Sequence, residues 1–308
     1  MAKKKPYRYI LYLACRAAAG IFYLLPRECA LGLARILARL GYLVISRQRT
    51  KTLRHLDLAF GKEKTRAQKE AVARKVFEHS AMTAAEVLQF PKLNAKKIEK
   101  IVDLGNALEV YRSLLSEGRG LISITAHIGN WELLAGVFGL LGFRGAVLAR
   151  RIYYEPYNQW IVGLRQSLHV PTLYRDQSSK EILKRLARSE IIGLLPDQDV
   201  ESLKGIFVPF FGRPAYTPVA PVRLALASQS PMICNFLIRK PDGSYRMILG
   251  DVIRPAVQSS REEAIEKYTT QWMANFEKVI REYPEQWAWM HNRWKTRVPV
   301  EEVTGVIQ

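Results

Sequence analysis

The chain has 308 residues, 48% of them hydrophobic and 24% charged, and 47 Lys/Arg against 28 Asp/Glu give a formal net charge of +19. That apolar content excludes a disordered tail, and the lack of repeated apolar runs of about 20 residues excludes a polytopic membrane protein. Three cysteines (Cys15, Cys29 and Cys234) without C-x-x-C spacing exclude a disulfide scaffold and fit a reducing compartment. The charge is uneven: residues 1–80 hold 18 basic and 5 acidic side chains, or +13. A basic surface calls for an anionic partner, whether nucleic acid, an anionic membrane face or a phosphorylated substrate.

In chain order, Lys3-Lys4-Lys5 precede an apolar stretch from Tyr9 to Leu25, closed by Pro26 and carrying one charge, Arg16. Its length is near the lower limit for a bilayer span, and a central arginine is costly there. The segment reads as a tilted anchor with a snorkelling arginine, as an interfacial helix, or as a buried helix. It does not read as a cleavable signal sequence, because no polar cleavage region follows Ala17-Ala18-Ala19. Ala30–Ser46 has the pattern of an amphipathic helix with Arg35 and Arg39 on one face. Thr65–Leu88 reads as a longer helix, stopped by Gln89-Phe90-Pro91.

From about residue 106 strands and helices alternate. Helices are expected at Asn106–Ser116, Asn130–Leu140, Pro156–Leu168, Ser179–Ala187, Val219–Ala227 and Glu262–Arg281. Strands are expected at Leu121–Thr125, Gly145–Leu148, Ile191–Leu195, Met232–Ile238 and Tyr245–Leu249, the last two joined by an Asp242-Gly243 turn. This order predicts an α/β fold, a mixed sheet flanked by helices, behind a basic helical N-terminal region. The expected divisions are an anchor or interfacial helix (1–26), a basic helical region (27–105), an α/β core (106–298) and a tail (299–308).

The segment Thr125-Ala126-His127-Ile128-Gly129-Asn130-Trp131-Glu132 carries the most chemistry. A short strand delivers His127 into a turn, Gly129 allows close backbone packing, and Asn130 is a good N-cap that places Glu132 in the first helical turn. A carboxylate on one imidazole nitrogen would fix the tautomer and free the other nitrogen to take a proton from a hydroxyl. The bland alternative is a structural histidine at a strand end. No H-E-x-x-H or Cys/His cluster points to zinc, and no G-x-S-x-G points to a serine hydrolase. Asp197-Gln198-Asp199 after the Ile191–Leu195 strand could bind a metal–nucleotide sugar as a D-x-D pair, or could hold a basic residue. The Phe-rich run Gly205–Pro214 reads as an apolar wall or as core. Arg150, Arg151 and Arg165 could clamp phosphate or polarise a carbonyl, or lie in solvent.

Taken together, His127-x4-Glu132, Arg150–Arg151, Arg165, Pro196-Asp197-Gln198-Asp199, Phe207-Val208-Pro209-Phe210-Phe211-Gly212 and the closing Pro284-Glu285-Gln286-Trp287-x-Trp289-x-His291-x-Arg293-x-Lys295-Thr296-Arg297 resemble the late acyltransferases of lipid A biosynthesis, within the lysophospholipid acyltransferase superfamily. The blocks stand in family order over nearly the whole chain. The resemblance implies a glycerolphosphate-acyltransferase-like fold at the cytoplasmic face of the inner membrane. It implies transfer of a fatty acyl chain from acyl carrier protein, or acyl-CoA, to a hydroxyl of a phosphorylated glycolipid. His127 would be the general base and Glu132 its orienter; Asn130, Arg150, Arg165, Asp197 and Phe210 would contact substrate. A thioester is already activated, so no metal or cofactor is called for. Related enzymes acting on phosphatidylinositol mannosides share the pattern. A metal-dependent D-x-D glycosyltransferase and a non-enzymatic basic membrane or nucleic-acid binder are the rival readings. No nucleic-acid-binding signature is found, and the apolar N-terminal helices favour a lipid partner.

Overall fold

The computed structural model describes residues 6–175 and 179–298. The Lys3-Lys4-Lys5 run and the expected tail, 299–308, lie outside the described residues.

Four helices open the chain: α1 (Pro6–Leu24), α2 (Arg27–Val44), α3 (Ser46–Phe60) and α4 (Arg66–Leu88). Thr65 starts α4 with a capping box, its hydroxyl accepting from Gln68 N–H while the Gln68 side chain accepts from Thr65 N–H. Then follow α5 (Ala95–Ile101), β1 (Val102–Asp103), α6 (Ala107–Ser116), β2 (Leu121–Ile124), α7 (Trp131–Leu140), β3 (Gly145–Ala149), α8 (Glu155–Gln166), β4 (Thr172–Tyr174), α9 (Ser179–Leu186) and β5 (Ile191–Leu194). The chain ends with β6 (Gly205–Phe210), β7 (Arg213–Pro218), α10 (Ala220–Ser228), β8 (Met232–Arg239), β9 (Tyr245–Ile253) and α11 (Arg261–Glu282).

The expected α/β fold is present. Seven strands form one sheet in the order β1-β9-β8-β2-β5-β3-β4. Only β8–β9 is antiparallel, through the Asp242-Gly243 hairpin; every other pairing in the sheet is parallel. Parallel strands need both faces covered, and the side-chain alternation shows this. Ile122, Ile124, Ile192, Leu194, Cys234 and Phe236 face one core, shared with Val222 of α10 and with Trp272 and Phe276 of α11. Leu121, Ile191, Ile233 and Leu237 face the other, shared with Tyr111 of α6, Val137 of α7 and Leu164 of α8. The first core also takes in Tyr42, Leu56, Phe60 and Phe77, so the N-terminal helices and the sheet share buried side chains.

The Phe-rich run differs from an irregular wall. It is a two-stranded antiparallel hairpin, β6–β7, with Pro209 opposite Pro214. Prolines are tolerated because each strand of an isolated pair has a free edge. Phe211 and Gly212 turn the hairpin with φ of 51° and 67°. Phe211, which bears a Cβ, is held in this left-handed conformation by its N–H donating to Glu277 Oε2 at 2.6 Å.

Candidate active site

The site lies outside the carboxyl ends of adjacent parallel strands, where open α/β sheets place ligands. In the β2–β5 pair, Ile124 stands opposite Leu194. The two chains leave the sheet side by side, and three residues beyond each partner come His127 and Asp197. Equal distance from the register point brings them together. Asp197 is buried, and it accepts twice from His127: from the backbone N–H at 2.9 Å and from Nδ1 at 2.7 Å. Trp287 Nε1 donates to the same carboxylate at 2.9 Å.

The turn that carries His127 is clamped from two sides. Gly129 has φ of +60°, and a Cβ there would lie 2.0 Å from the Leu237 carbonyl oxygen, so no larger residue fits. Its N–H donates to the Gln286 carbonyl at 3.1 Å, and its own carbonyl accepts from the Thr83 hydroxyl at 3.0 Å. Ala288 N–H donates to the His127 carbonyl at 2.9 Å. The closing block of the chain thus backs the turn, and its Trp287 reaches through to Asp197.

Burial of the His127 ring disfavours its charged form. The adjoining Asp197 carboxylate outweighs that, by charge and hydrogen bond, and raises the imidazole above its ordinary value. Burial likewise pushes Asp197 upward, but His127 and Trp287 hold it well below the usual carboxylate range. With Nδ1–H donating to Asp197, the neutral ring presents the Nε2 lone pair, the state a general base requires.

Two expectations about contacts are corrected here. The carboxylate bonded to the His127 ring is that of Asp197, and the Glu132 carboxylate turns instead to Arg165. It receives a bidentate pair from the guanidinium, Nε–Oε2 at 2.8 Å and Nη2–Oε1 at 2.6 Å. Both residues still line the same chamber as His127, and the charge of Glu132 contributes to raising the imidazole. Burial lowers the Arg165 guanidinium, and Glu132 more than offsets it. Helical geometry explains the change: Glu132 sits in the first turn of α7, facing α8 and its Arg165, whereas Asp197 emerges beside His127 from the neighbouring strand.

Asn130 is the expected N-cap, its Oδ1 accepting from Leu133 N–H at 2.9 Å. As a substrate contact it is corrected: it is fully buried, and its Nδ2 donates to Glu86 at 2.9 Å and to the Tyr245 hydroxyl at 3.1 Å. Phe210 is corrected too. It packs in the core against Phe211, Trp287 and Trp294, and neither chamber described below includes it. The D-x-D reading fails on geometry: Asp199 turns away to accept from Lys295 N–H at 3.0 Å and from Thr296 N–H and hydroxyl at 2.7 and 2.6 Å. Asp197 and Asp199 do not converge on one ion.

Two chambers meet at the site. A polar one of about 280 Å³ is lined by His127, Glu132, Arg150, Arg165, Arg175 and Gln198. An apolar one of about 440 Å³ is lined by Leu148, Ile182, Leu194, Leu195, Leu203 and Leu224. Leu148, Arg175, Leu195, Gln198 and Val200 border both. Of the two adjacent arginines, Arg150 is on the polar wall, while Arg151 lies over the Tyr174 ring at 4.2 Å and pairs with Glu155 at 3.5 Å. Burial, then repulsion from Arg150, lowers the Arg175 guanidinium, so the wall carries two cations whose charges oppose each other.

The sequence pattern of the "Bacterial lipid A biosynthesis acyltransferase" family matches residues 2–296. The chain belongs to this family. As a member of it, the protein is an acyltransferase of the lipid A biosynthesis type. The chain is similar to the lipid A biosynthesis lauroyltransferase of Escherichia coli (strain K12), 25% identical over 294 residues, 94% of this chain and 90% of that one. It is also similar to the lipid A biosynthesis palmitoleoyltransferase of the same organism, 24% identical over 265 residues, 84% of this chain and 82% of that one. A phosphatidylinositol mannoside acyltransferase of Mycobacterium tuberculosis is 25% identical over 217 residues, 68% of this chain and 66% of that one.

Four side chains at the site were given no role from the sequence: Arg175, Gln198, Trp287 and His291. The last three lie in blocks that carry the resemblance. Nothing in their local pattern shows that a tryptophan and a histidine near the C-terminus fold back onto a strand end about 90 residues earlier.

Proposed function

We propose that this acyltransferase moves a fatty acyl chain from an acyl carrier protein thioester, or acyl-CoA, onto a hydroxyl of a phosphorylated lipid A precursor. His127 takes the hydroxyl proton at Nε2, while Asp197 holds Nδ1–H and stabilises the imidazolium. Glu132 fixes Arg165 on the chamber wall beside the reacting groups. The observation that carries this reading is the histidine itself: one nitrogen tied to a buried carboxylate, in a polar chamber that opens into an apolar one. The apolar chamber has the size of a small-molecule pocket, roughly 300–1,000 Å³, and suits the acyl chain. Arg150 and Arg175 suit the phosphate of the acceptor.

The N-terminal helices supply the membrane side of this reading. No single described helix is long and apolar enough to cross a membrane. Ile10, Leu11 and Leu24 of α1 and Ile36, Leu43 and Val44 of α2 are instead exposed, in the most basic quarter of the chain. Such helices lie in an anionic interface. Tyr12 of α1 packs edge-on to Tyr157 of α8 at 5.2 Å, and Ile161 of α8 lines the polar chamber, so this surface adjoins the site. We place the protein at the cytoplasmic face of the inner membrane on these grounds and on the family's.

A phosphatidylinositol mannoside type of acceptor is the second reading, favoured by the mycobacterial relative. The test is ester formation by wild type and His127→Ala with an acyl carrier protein thioester and each acceptor class. Transfer to a lipid A precursor by wild type alone is the expected result. Near-wild-type turnover by His127→Ala would overturn the mechanism, and preference for the mannoside would change the acceptor.

A further inference from the structure

The apolar chamber runs the height of the sheet, and the elements that line it fix its direction. α9 and α10 are neighbours over the sheet face that bears Leu194. Each leads into a parallel strand, α9 into β5 and α10 into β8, so each carries the chain from the carboxyl ends of the strands, where His127 lies, back to their amino ends. Contacts at the far edge agree. Leu121 N–H, at the start of β2, donates to the Glu190 carbonyl between α9 and β5. The Ser230 hydroxyl, just past α10, donates to the Arg119 carbonyl ahead of β2. β9 runs the other way and ends with Ile253 opposite Met232, the first residue of β8. α11 therefore starts at the amino edge, with Arg261 as its first residue.

The lining can now be read in order. At the carboxyl edge are Leu195 and Gln198, which border the polar chamber as well. Ala220, Leu224 and Ala227 follow along one face of α10 at helical spacing, a rise of about 10 Å from first to last. Arg261 lines the chamber at the amino edge. The thioester carbonyl must stand at the border with the polar chamber, within reach of the hydroxyl that His127 activates. The acyl chain then extends down the face of α10, and its methyl end arrives at Ala227.

The far end has no apolar wall. Ala227 is small, and both it and Arg261 are exposed. A methylene pushed past Ala227 lies in water or against a guanidinium, and each one left in water forgoes about fourfold in affinity. From this we infer that Ala227 and Arg261 set the longest acyl chain this enzyme transfers. Ala227 is a specificity-determining residue at the methyl end, and Arg261 is the charge that ends the apolar path. The inference rests on the transfer reading above and names where its donor chain stops.

The test uses the full chain, a mixture of acyl carrier protein thioesters from decanoyl to octadecanoyl, and whichever acceptor wild type acylates faster. Mass spectrometry of the products gives the length profile. Ala227→Phe fills the far end, so its penalty should grow with chain length: slight for decanoyl, and about tenfold or more at the length wild type prefers. Arg261→Leu extends the apolar path and should raise transfer of the chain two carbons longer than that by about tenfold. Arg261→Lys keeps the charge and should keep the wild-type profile. Ala220→Phe, at the other end of the same helix face, should slow every length alike. Urea unfolding midpoints report folding for each variant, and the exposure of Ala227 and Arg261 leaves room for the substitutions. An Ala227→Phe profile identical to wild type would overturn the inference. So would an equal loss at every length, which would put the donor's arm in the groove in place of its acyl chain. In either case transfer by wild type and its absence in His127→Ala leave the reading above standing. If wild type transfers no acyl chain, that reading falls, and the affinities of wild type and Ala227→Phe for S-alkyl acyl carrier protein thioethers of the same lengths still decide the inference by the same length dependence.

Discussion

Two buried carboxylates, about as inaccessible as each other, do opposite jobs. Glu86 of α4 is surrounded by permanent cations and neutral donors: Arg239 at 2.6 and 3.1 Å, Arg27 at 2.5 and 3.0 Å, Asn130 at 2.9 Å and the Tyr245 hydroxyl. Asp197 has a tryptophan N–H, a backbone N–H and one imidazole. Burial raises both carboxyls, and in both the partners win and hold the acid below its ordinary value. The difference is in the partner. A guanidinium cannot give up its proton near neutral pH, so the Glu86 cluster is closed and ties α2 and α4 to the sheet. The imidazole can, and its second nitrogen faces a chamber. A buried acid becomes functional when the charge it stabilises can move. The two networks touch through Asn130, which links Glu86 to the start of α7 and so to the turn bearing His127.

The sharpest way to separate the two regions is to remove one acid at a time. Asp197→Asn and His127→Ala should each cost about 10³-fold in kcat. Their urea midpoints should change far less than that of a Glu86 variant. Glu86→Ala leaves the Arg239 guanidinium buried and unpaired, which costs about 3–5 kcal/mol in unfolding experiments. The fraction that remains folded should keep a wild-type kcat; a Glu86→Ala protein with an unchanged urea midpoint would break the comparison. Glu132→Gln loosens Arg165 without touching the His127 ring bond. Steady-state kinetics should show a drop of about 10- to 100-fold in kcat/KM, between the other two classes.

The pH dependence carries a sign that the two regions do not share. Because Asp197 raises His127, the acid limb of kcat in wild type should sit above the ordinary imidazole value of about 6.5, with activity lost as pH falls through it. In Asp197→Asn burial is the main remaining influence, so the limb, measured on the residual activity, should move down. Stability runs the other way for His127. A raised folded value stabilises the fold below the unfolded pKa, and that contribution is lost as pH rises through the folded one. For Asp197 and Glu86, both lowered, the contribution is present above the unfolded value and is lost as pH falls. The His127–Asp197 pair therefore stabilises most between about pH 4 and 6.5, whereas the Glu86 cluster stabilises across neutral pH as well. The smallest effect concerns the membrane face. Leu43→Glu on exposed α2 should weaken sedimentation with anionic vesicles by about tenfold and leave turnover of detergent-dispersed substrates unchanged.

Much of this was legible in the chain. The alternation after residue 106 located β2, β3, β5, β8 and β9 and the helices between them within a few residues, because apolar runs bounded by Gly, Pro and Asp carry that information locally. The three-residue β4 and the hairpin β6–β7 escaped it: the first is too short for a pattern, and the prolines of the second argue against a strand unless both edges are free. His127 was found from its turn. Its true ring partner was not, since the one contact the spacing offered was Glu132.

The sequence by itself determined the α/β class, the strand that ends before His127, the N-cap at Asn130, the glycine its turn requires, and the concentration of positive charge in the first 80 residues. These are local properties, set by side-chain periodicity, backbone conformation and counting. Tertiary structure alone decided which acid serves the histidine. The in-register pairing of β2 with β5 brings Asp197 to His127 from 70 residues away, the crossing of α7 and α8 hands Glu132 to Arg165, and the returning C-terminal segment places His291 against Gln198. Register between strands far apart in sequence depends on packing across the whole sheet.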